Sequence, residues 1–254
     1  MSPRPLARRS CAIIAVLLLA FALGACSSDD SAPLPPSGPV TTVYRGVFAG
    51  NAAESGTMTL DITVQTALLA GHPARFDPPR SLSGPLPEAK RETGNVTGTV
   101  KLSSGGSAPL DGTYEPATGG LHVSGGGFVF TGTLSNGEFV GGYTRGANRG
   151  GFVAILPQIA FAGYCGTWTG SDAFGNPDAG TVSLIVDAAT VYGVAVREGG
   201  TISQVTGSAT SSEVIFVFPS YRFEGTITGP EIRGSYVSTI AARSGGWTAA
   251  LTPF

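Results

Sequence analysis

Few residues in this chain are equipped for chemistry. Among 254 residues there are three cysteines, Cys11, Cys26 and Cys165, and two histidines, His72 and His122. A Ser-His-acid arrangement would have to use one of those histidines. His122 follows Leu121 on the opposite face of an alternating segment and reads as a solvated strand residue, while His72 precedes a proline in a long loop. Cys165 alternates against Gly166 and Trp168 and so points outward, where a neighbouring unit could cover it. A reactive thiolate needs a nearby cation, and the local sequence supplies none. For metals, Asp172-x-x-x-Asn176-x-Asp178 offers the oxygen ligands that hard cations prefer. The spacing departs from the EF-hand pattern, and Asp, Asn, Gly and Pro are equally the residues of a hairpin turn, which is the reading adopted. There is no Gly-x-x-x-x-Gly-Lys loop to cradle a phosphate. The expectation is a protein with no catalytic residue, no metal site and no cofactor.

The elements that would position these side chains are strands. From Thr42 onward the dominant pattern has period two: Met58, Leu60, Ile62 and Val64 alternate with Thr57, Thr59, Asp61 and Thr63. This phase points Asp61, Lys101, Asp111, Glu115, Glu138, Asp187, Arg222, Glu224 and Arg233 away from the apolar face. No Asp, Glu, Lys or Arg is therefore expected inside, and outward carboxylates lack the burial that tunes a catalytic pKa.

An internal repeat organises the strands. Tyr44-Arg45-Gly46-Val47-Phe48-Ala49-Gly50 matches Tyr164-Cys165-Gly166-Thr167-Trp168-Thr169-Gly170, and Phe130-Thr131-Gly132-Thr133-Leu134 matches Phe223-Glu224-Gly225-Thr226-Ile227. Further matches pair Phe139 to Tyr143 with Ile232 to Tyr236, and Gly150-Gly151-Phe152 with Gly245-Gly246-Trp247, in the same order. One unit spans residues 42–157, with an insertion at 71–93, and the other spans 164–254. Eight strands in the second copy, joined by connections of a few residues, imply an antiparallel meander. The predicted fold is all-β, two tandem up-and-down units of about eight strands each, the number that closes a small barrel. Glycine, at 38 residues, falls on the apolar faces between large side chains, as in Phe223-x-Gly225-x-Ile227. Tightly curved strands need such positions.

The N-terminus reads differently. Arg4, Arg8 and Arg9 precede an apolar run from Cys11 to Ala22, the layout of a signal peptide over residues 1–25. Its end, Leu23-Gly24-Ala25-Cys26, resembles the bacterial lipobox, which implies cleavage before Cys26, lipidation of its thiol, and a cell-envelope protein whose membrane anchor is that lipid. Ser27 after the cysteine implies the outer membrane if the source is a diderm bacterium. Residues 26–41 carry the lipidated cysteine and a Pro/Ser-rich tether. Without residues 1–25 the chain keeps 12 basic and 17 acidic residues, a formal charge of −5, which disfavours nucleic acid as a partner. A membrane-spanning barrel is disfavoured by mostly short strands whose outward positions carry Thr, Ser and charges.

Two short segments, Gly166-Thr167-Trp168 and Leu110-Asp111-Gly112-Thr113-Tyr114-Glu115, look like pieces of avidin-type strands. They imply a calycin-like barrel and carry over no biotin-binding residue. The insertion holds five prolines together with Arg75, Phe76, Arg80, Lys90 and Arg91, and is the candidate partner-contact loop. Two functions are expected: a non-catalytic binding or interaction module, or a carrier of a small apolar ligand inside one barrel. The many aromatics in phase with the core favour a filled interior.

Overall fold

A computed structural model describes residues 38–65, 93–158 and 161–254. All of its regular elements are strands, in two closed antiparallel barrels. The first comprises β1 (Val40–Gly50), β2 (Ser55–Val64), β3 (Gly94–Leu102), β4 (Ser107–Glu115), β5 (Gly120–Gly125), β6 (Phe128–Ser135), β7 (Glu138–Arg145) and β8 (Asn148–Ile155). The second comprises β9 (Phe161–Ser171), β10 (Pro177–Asp187), β11 (Thr190–Arg197), β12 (Ile202–Ala209), β13 (Glu213–Phe218), β14 (Tyr221–Thr228), β15 (Glu231–Ser238) and β16 (Ser244–Leu251). Each strand pairs with its sequence neighbour, and the rings close through β1 with β8 and β9 with β16. The repeat is thus two complete barrels rather than one larger sheet.

Aromatic rings fill both interiors. In the first barrel Phe48 makes edge contacts with Phe128, Phe130 and Tyr143, and Phe130 with Phe152. In the second, Phe216, Phe218, Tyr221, Phe223 and Tyr236 form a run of stacked and tilted rings, and Trp168 and Trp247 meet it edge-on or tilted. An eight-stranded ring is wide enough to be filled by side chains or to hold one small ligand, and here aromatic side chains occupy it. Glycine makes the arrangement possible at cross-strand pairs. Gly225 faces Gly234, and a Cβ on Gly225 would stand 2.5 Å from the Trp247 ring. At the equivalent place Gly132 faces Gly141, and Phe152 lies over the pair. The ring takes the volume that the missing side chains leave. Trp247 is further fixed by its indole N–H, which donates to the Glu224 carbonyl at 2.9 Å.

The two barrels lie side by side within one compact unit, Ser37–Phe254. Along the seam the outward face is apolar, contrary to the alternation expected there. Val47, Val153 and Ile155 pack on Ile185, and Ala49 packs on Val194 and Val196. Ser183 Oγ donates to the Phe48 carbonyl at 2.7 Å across this seam. Strands buried on both faces lose the polar half of their pattern. The residues after β16 complete the clamp: Thr57 Oγ1 donates to the Pro253 carbonyl, Lys101 Nζ to the Phe254 carbonyl, and the Phe254 ring packs on Phe161 at 4.7 Å.

Candidate functional site

Gly38 leads into β1 at one end of the first barrel, and the strands on either side of residues 66–92 meet that segment at the same end. The opposite, far end bears the hairpin turns between β1 and β2 and between β7 and β8. In the second barrel the turns between β9 and β10, β11 and β12, β13 and β14, and β15 and β16 form the corresponding end. Gly50 to Ala53 and Val196 to Gly199 line one cleft of about 400 Å³, so the far ends of both barrels lie on the same side.

A carboxylate lies inside the second barrel at this end. Continuing the inward phase of Leu184, Val182 and Gly180 back along β10 brings Asp178 into the mouth, with its side chain 0% exposed. Asp178 Oδ1 accepts from Arg197 Nε at 2.8 Å, Tyr221 Oη at 3.2 Å and Arg243 Nη1 at 3.4 Å. Its Oδ2 accepts from Tyr236 Oη at 3.0 Å. An ionised group can be kept there because these partners replace the water it has lost. Burial pushes both tyrosine hydroxyls above their ordinary range, and the Asp178 carboxylate adds to the shift. This corrects the expectation that no charged residue lies inside either unit.

The first barrel holds the counterpart. Glu54 stands opposite Gly50 as Asp178 stands opposite Gly170. Its Oε2 accepts from Arg145 Nη1 at 2.9 Å and from Asn148 Nδ2 at 3.3 Å. Tyr143, the repeat partner of Tyr236, is pushed up by burial first and by the Glu54 carboxylate second. It lies near that carboxylate without the well-aligned hydrogen bond of its counterpart, leaving Tyr143 Oη and Glu54 Oε1 buried and unpartnered. Sequence reasoning missed Glu54 and singled out Asp178 only as part of the Asp172–Asn176 turn, not as a buried acid. Their signal was the strand phase, carried one step further toward each hairpin, together with the matched tyrosines.

The remaining candidates are distributed. Asp172 and Asn176 do not converge with Asp178 on a common point. Asp172 Oδ1 accepts from the Phe174 and Asn176 amides, and Oδ2 from Asn176 Nδ2, so the loop is a capped turn. Those bonds, Asn176 foremost, hold the Asp172 carboxyl below its ordinary range. No group of three or more potential metal-ligating His, Cys, Asp or Glu occurs among the described residues. His122 is exposed on β5. Cys165 is buried under the first barrel, and desolvation pushes its thiol up despite hydrogen bonds with Ser183, Thr252 and Ser55. Such a thiol is a poor nucleophile. Asp187 faces outward as expected, but it is only 5% exposed, and burial raises its pKa. Cys26, His72 and the loop residues Arg75, Phe76, Arg80, Lys90 and Arg91 lie outside the described residues.

Beside the second mouth the surface turns apolar. Phe174 is 91% exposed at the tip of the β9–β10 turn, and Ile240 is 80% exposed on the adjacent β15–β16 turn. No protein-family model matches the chain, and no curated protein matches its sequence.

Proposed function

We propose that this chain is a lipoprotein of the cell envelope, held to the membrane by lipid on Cys26, whose paired barrels act as a non-catalytic binding or interaction module. The observation that carries the non-catalytic reading is the state of the interiors. Interlocked rings occupy both barrels, and the charged groups at the mouths are spent on one another, Asp178 on Arg197, Arg243 and two tyrosines. That leaves loops and outer faces to meet a partner, the usual place for recognition on a rigid scaffold. Filled interiors also weigh against the alternative, a carrier of a small apolar ligand. An extramembrane position is supported by exposed Asp111, Arg222, Glu224 and Arg233 on the outer strand faces. The lipobox-like Leu23-Gly24-Ala25-Cys26 supports the anchor, and Ser27 after the cysteine supports the outer membrane if the cell is diderm. Metabolic labelling with a fatty acid tests the anchor: the wild-type chain takes up label and Cys26→Ser does not. Label retained by Cys26→Ser contradicts the lipoprotein reading.

A further inference from the structure

In both barrels the ladder between the fourth and fifth strands stops short of the far end, and the two barrels treat the stretch beyond it differently. The ladder between β12 and β13 runs only from Thr206 opposite Val217 to Ala209 opposite Val214. Ile202 to Val205 thus extend beyond the ladder, paired with β11 on one side alone. The direction of their backbone groups follows from two bonds. The Ala209 amide donates toward β11, to the Ala189 carbonyl, and the Thr210 amide donates toward β13, to the Glu213 carbonyl. Backbone groups alternate along a strand. The amides and carbonyls of Ile202 and Gln204 therefore point into the gap. By register, the residue across from Gln204 is Pro219, which has no N–H to offer. Gln204, Thr206, Val217, Phe218, Pro219, Tyr221 and Arg222 border an open notch of about 560 Å³ at this place.

In the first barrel the β4–β5 ladder stops at the equivalent pair, Asp111 opposite Ser124, but beyond it the two strands stay in close contact. Pro109 occupies the place of Gln204, so the amide that would face the gap does not exist. Gly125 and Gly126 occupy the places of Phe218 and Pro219. They close onto β4 so tightly that a Cβ on Gly125 would overlap the Pro109 carbonyl oxygen and one on Gly126 would stand 2.3 Å from the Ala108 Cβ. One barrel has removed the edge donor and keeps the strands in close contact, which is how proteins blunt an edge. The other keeps the donors and holds the seam apart with Phe218 and Pro219.

We propose that this notch is a strand-accepting site: an extended segment of a partner polypeptide adds to the free edge of β12, bonding to the backbone of Ile202 and Gln204. Its chemistry is that of β-augmentation, in which main-chain bonds give affinity and alternate side chains give specificity. The half-exposed Val217, with Phe218 behind it, presents an apolar wall, so the inserted segment carries an apolar residue facing Val217. The proposal rests on the binding-module reading and names the class of partner. Arg222, on the rim, is already engaged by Glu224 at 2.7 Å, so charge is not the main attraction.

The test uses the full-length chain in detergent micelles and a displayed library of random dodecapeptides as probe. Selected peptides are expected to bind Gln204→Pro, which copies the first barrel, at least tenfold more weakly than wild type. On the wild-type chain, which needs no variant to fold, peptide binding is expected to slow hydrogen exchange at the Gln204 amide. A selection that yields no binder overturns the proposal. So do binders that tolerate Gln204→Pro and leave the Gln204 amide unprotected, whether they sit elsewhere or join two copies of the chain. Failure here leaves the fatty-acid labelling of Cys26 unaffected, so the two readings fail separately.

Discussion

The two barrel mouths are built from the same plan with different partners. Both place an acid opposite the last glycine of the preceding strand, Glu54 with Gly50 and Asp178 with Gly170, and both set a tyrosine beside it. In the second barrel Tyr221 donates to the acid, and Arg197 and Arg243 close on it. In the first, Phe128 replaces Tyr221, Leu102 replaces Arg197, and Asn148 replaces Arg243. Arg145 there lies over the Phe128 ring at 4.8 Å while it holds Glu54. The scaffold of glycine pairs and overlying rings is shared, whereas the polar network is fuller in the second copy. A buried carboxylate is tolerated in proportion to the donors gathered round it, so the second mouth depends more heavily on its acid.

That comparison breaks most readily by removing the acids. Asp178→Ala leaves two guanidiniums and two hydroxyls without their common acceptor and should cost about 3–5 kcal/mol. Glu54→Ala frees a half-exposed arginine and one asparagine and should cost about 1–2 kcal/mol. Denaturant unfolding of each variant checks this, and equal losses would erase the distinction between the mouths. Next in size is the shared scaffold. Gly225→Val meets the Trp247 ring and Ile232, with an expected loss of about 1–3 kcal/mol through overpacking. Glu224→Val beside it, exposed, should stay within about 0.5 kcal/mol. Similar losses at the two sites would place the strand phase wrongly.

Alkaline pH probes both mouths together. Tyr143 and Tyr236 have raised pKa values in the fold, so the stability they contribute is fully present below the ordinary tyrosine value of about 10 and is lost as pH rises beyond it. Phenolate absorbance from these two should appear only with unfolding, and Tyr143→Phe and Tyr236→Phe should each extend the stable range upward. The last effect concerns Asp187, at the end of β10. Burial raises the Asp187 pKa, which penalises its ionised form, so the favourable contribution is full below about pH 3.9 and is lost as pH rises through the folded value. Asp187→Asn should stabilise the protein by about 1 kcal/mol at pH 7 and lose that advantage toward pH 4, as thermal unfolding across that range would record.

The sequence pattern made much of this fold legible. Alternation from Thr42 and the matched halves pointed to two antiparallel units of about eight strands each, with eight strands placed in the second copy, because each strand with one polar and one apolar face declares its phase. Legibility failed where that rule fails physically. β1, β8, β10 and β11 bury both faces at the seam, so Val47, Ala49, Val153, Ile155, Val194 and Val196 carry no sign of which neighbour covers them. Glu54 was missed and Asp178 was read as a turn residue because both stand at hairpins, where acids ordinarily face water, and their arginine, asparagine and tyrosine partners come from distant strands. Asp187 faces outward as read, yet it is only 5% exposed and lies beside the backbone of Gln158, cover that no single-strand pattern records.

The central claim is that these barrels are filled and work through their outer surfaces. Native mass spectrometry of the chain purified from its own cells tests it most directly. The account predicts the mass of the polypeptide and its covalent lipid with nothing else released on activation. An apolar small molecule released in stoichiometric amount would contradict it and restore the carrier.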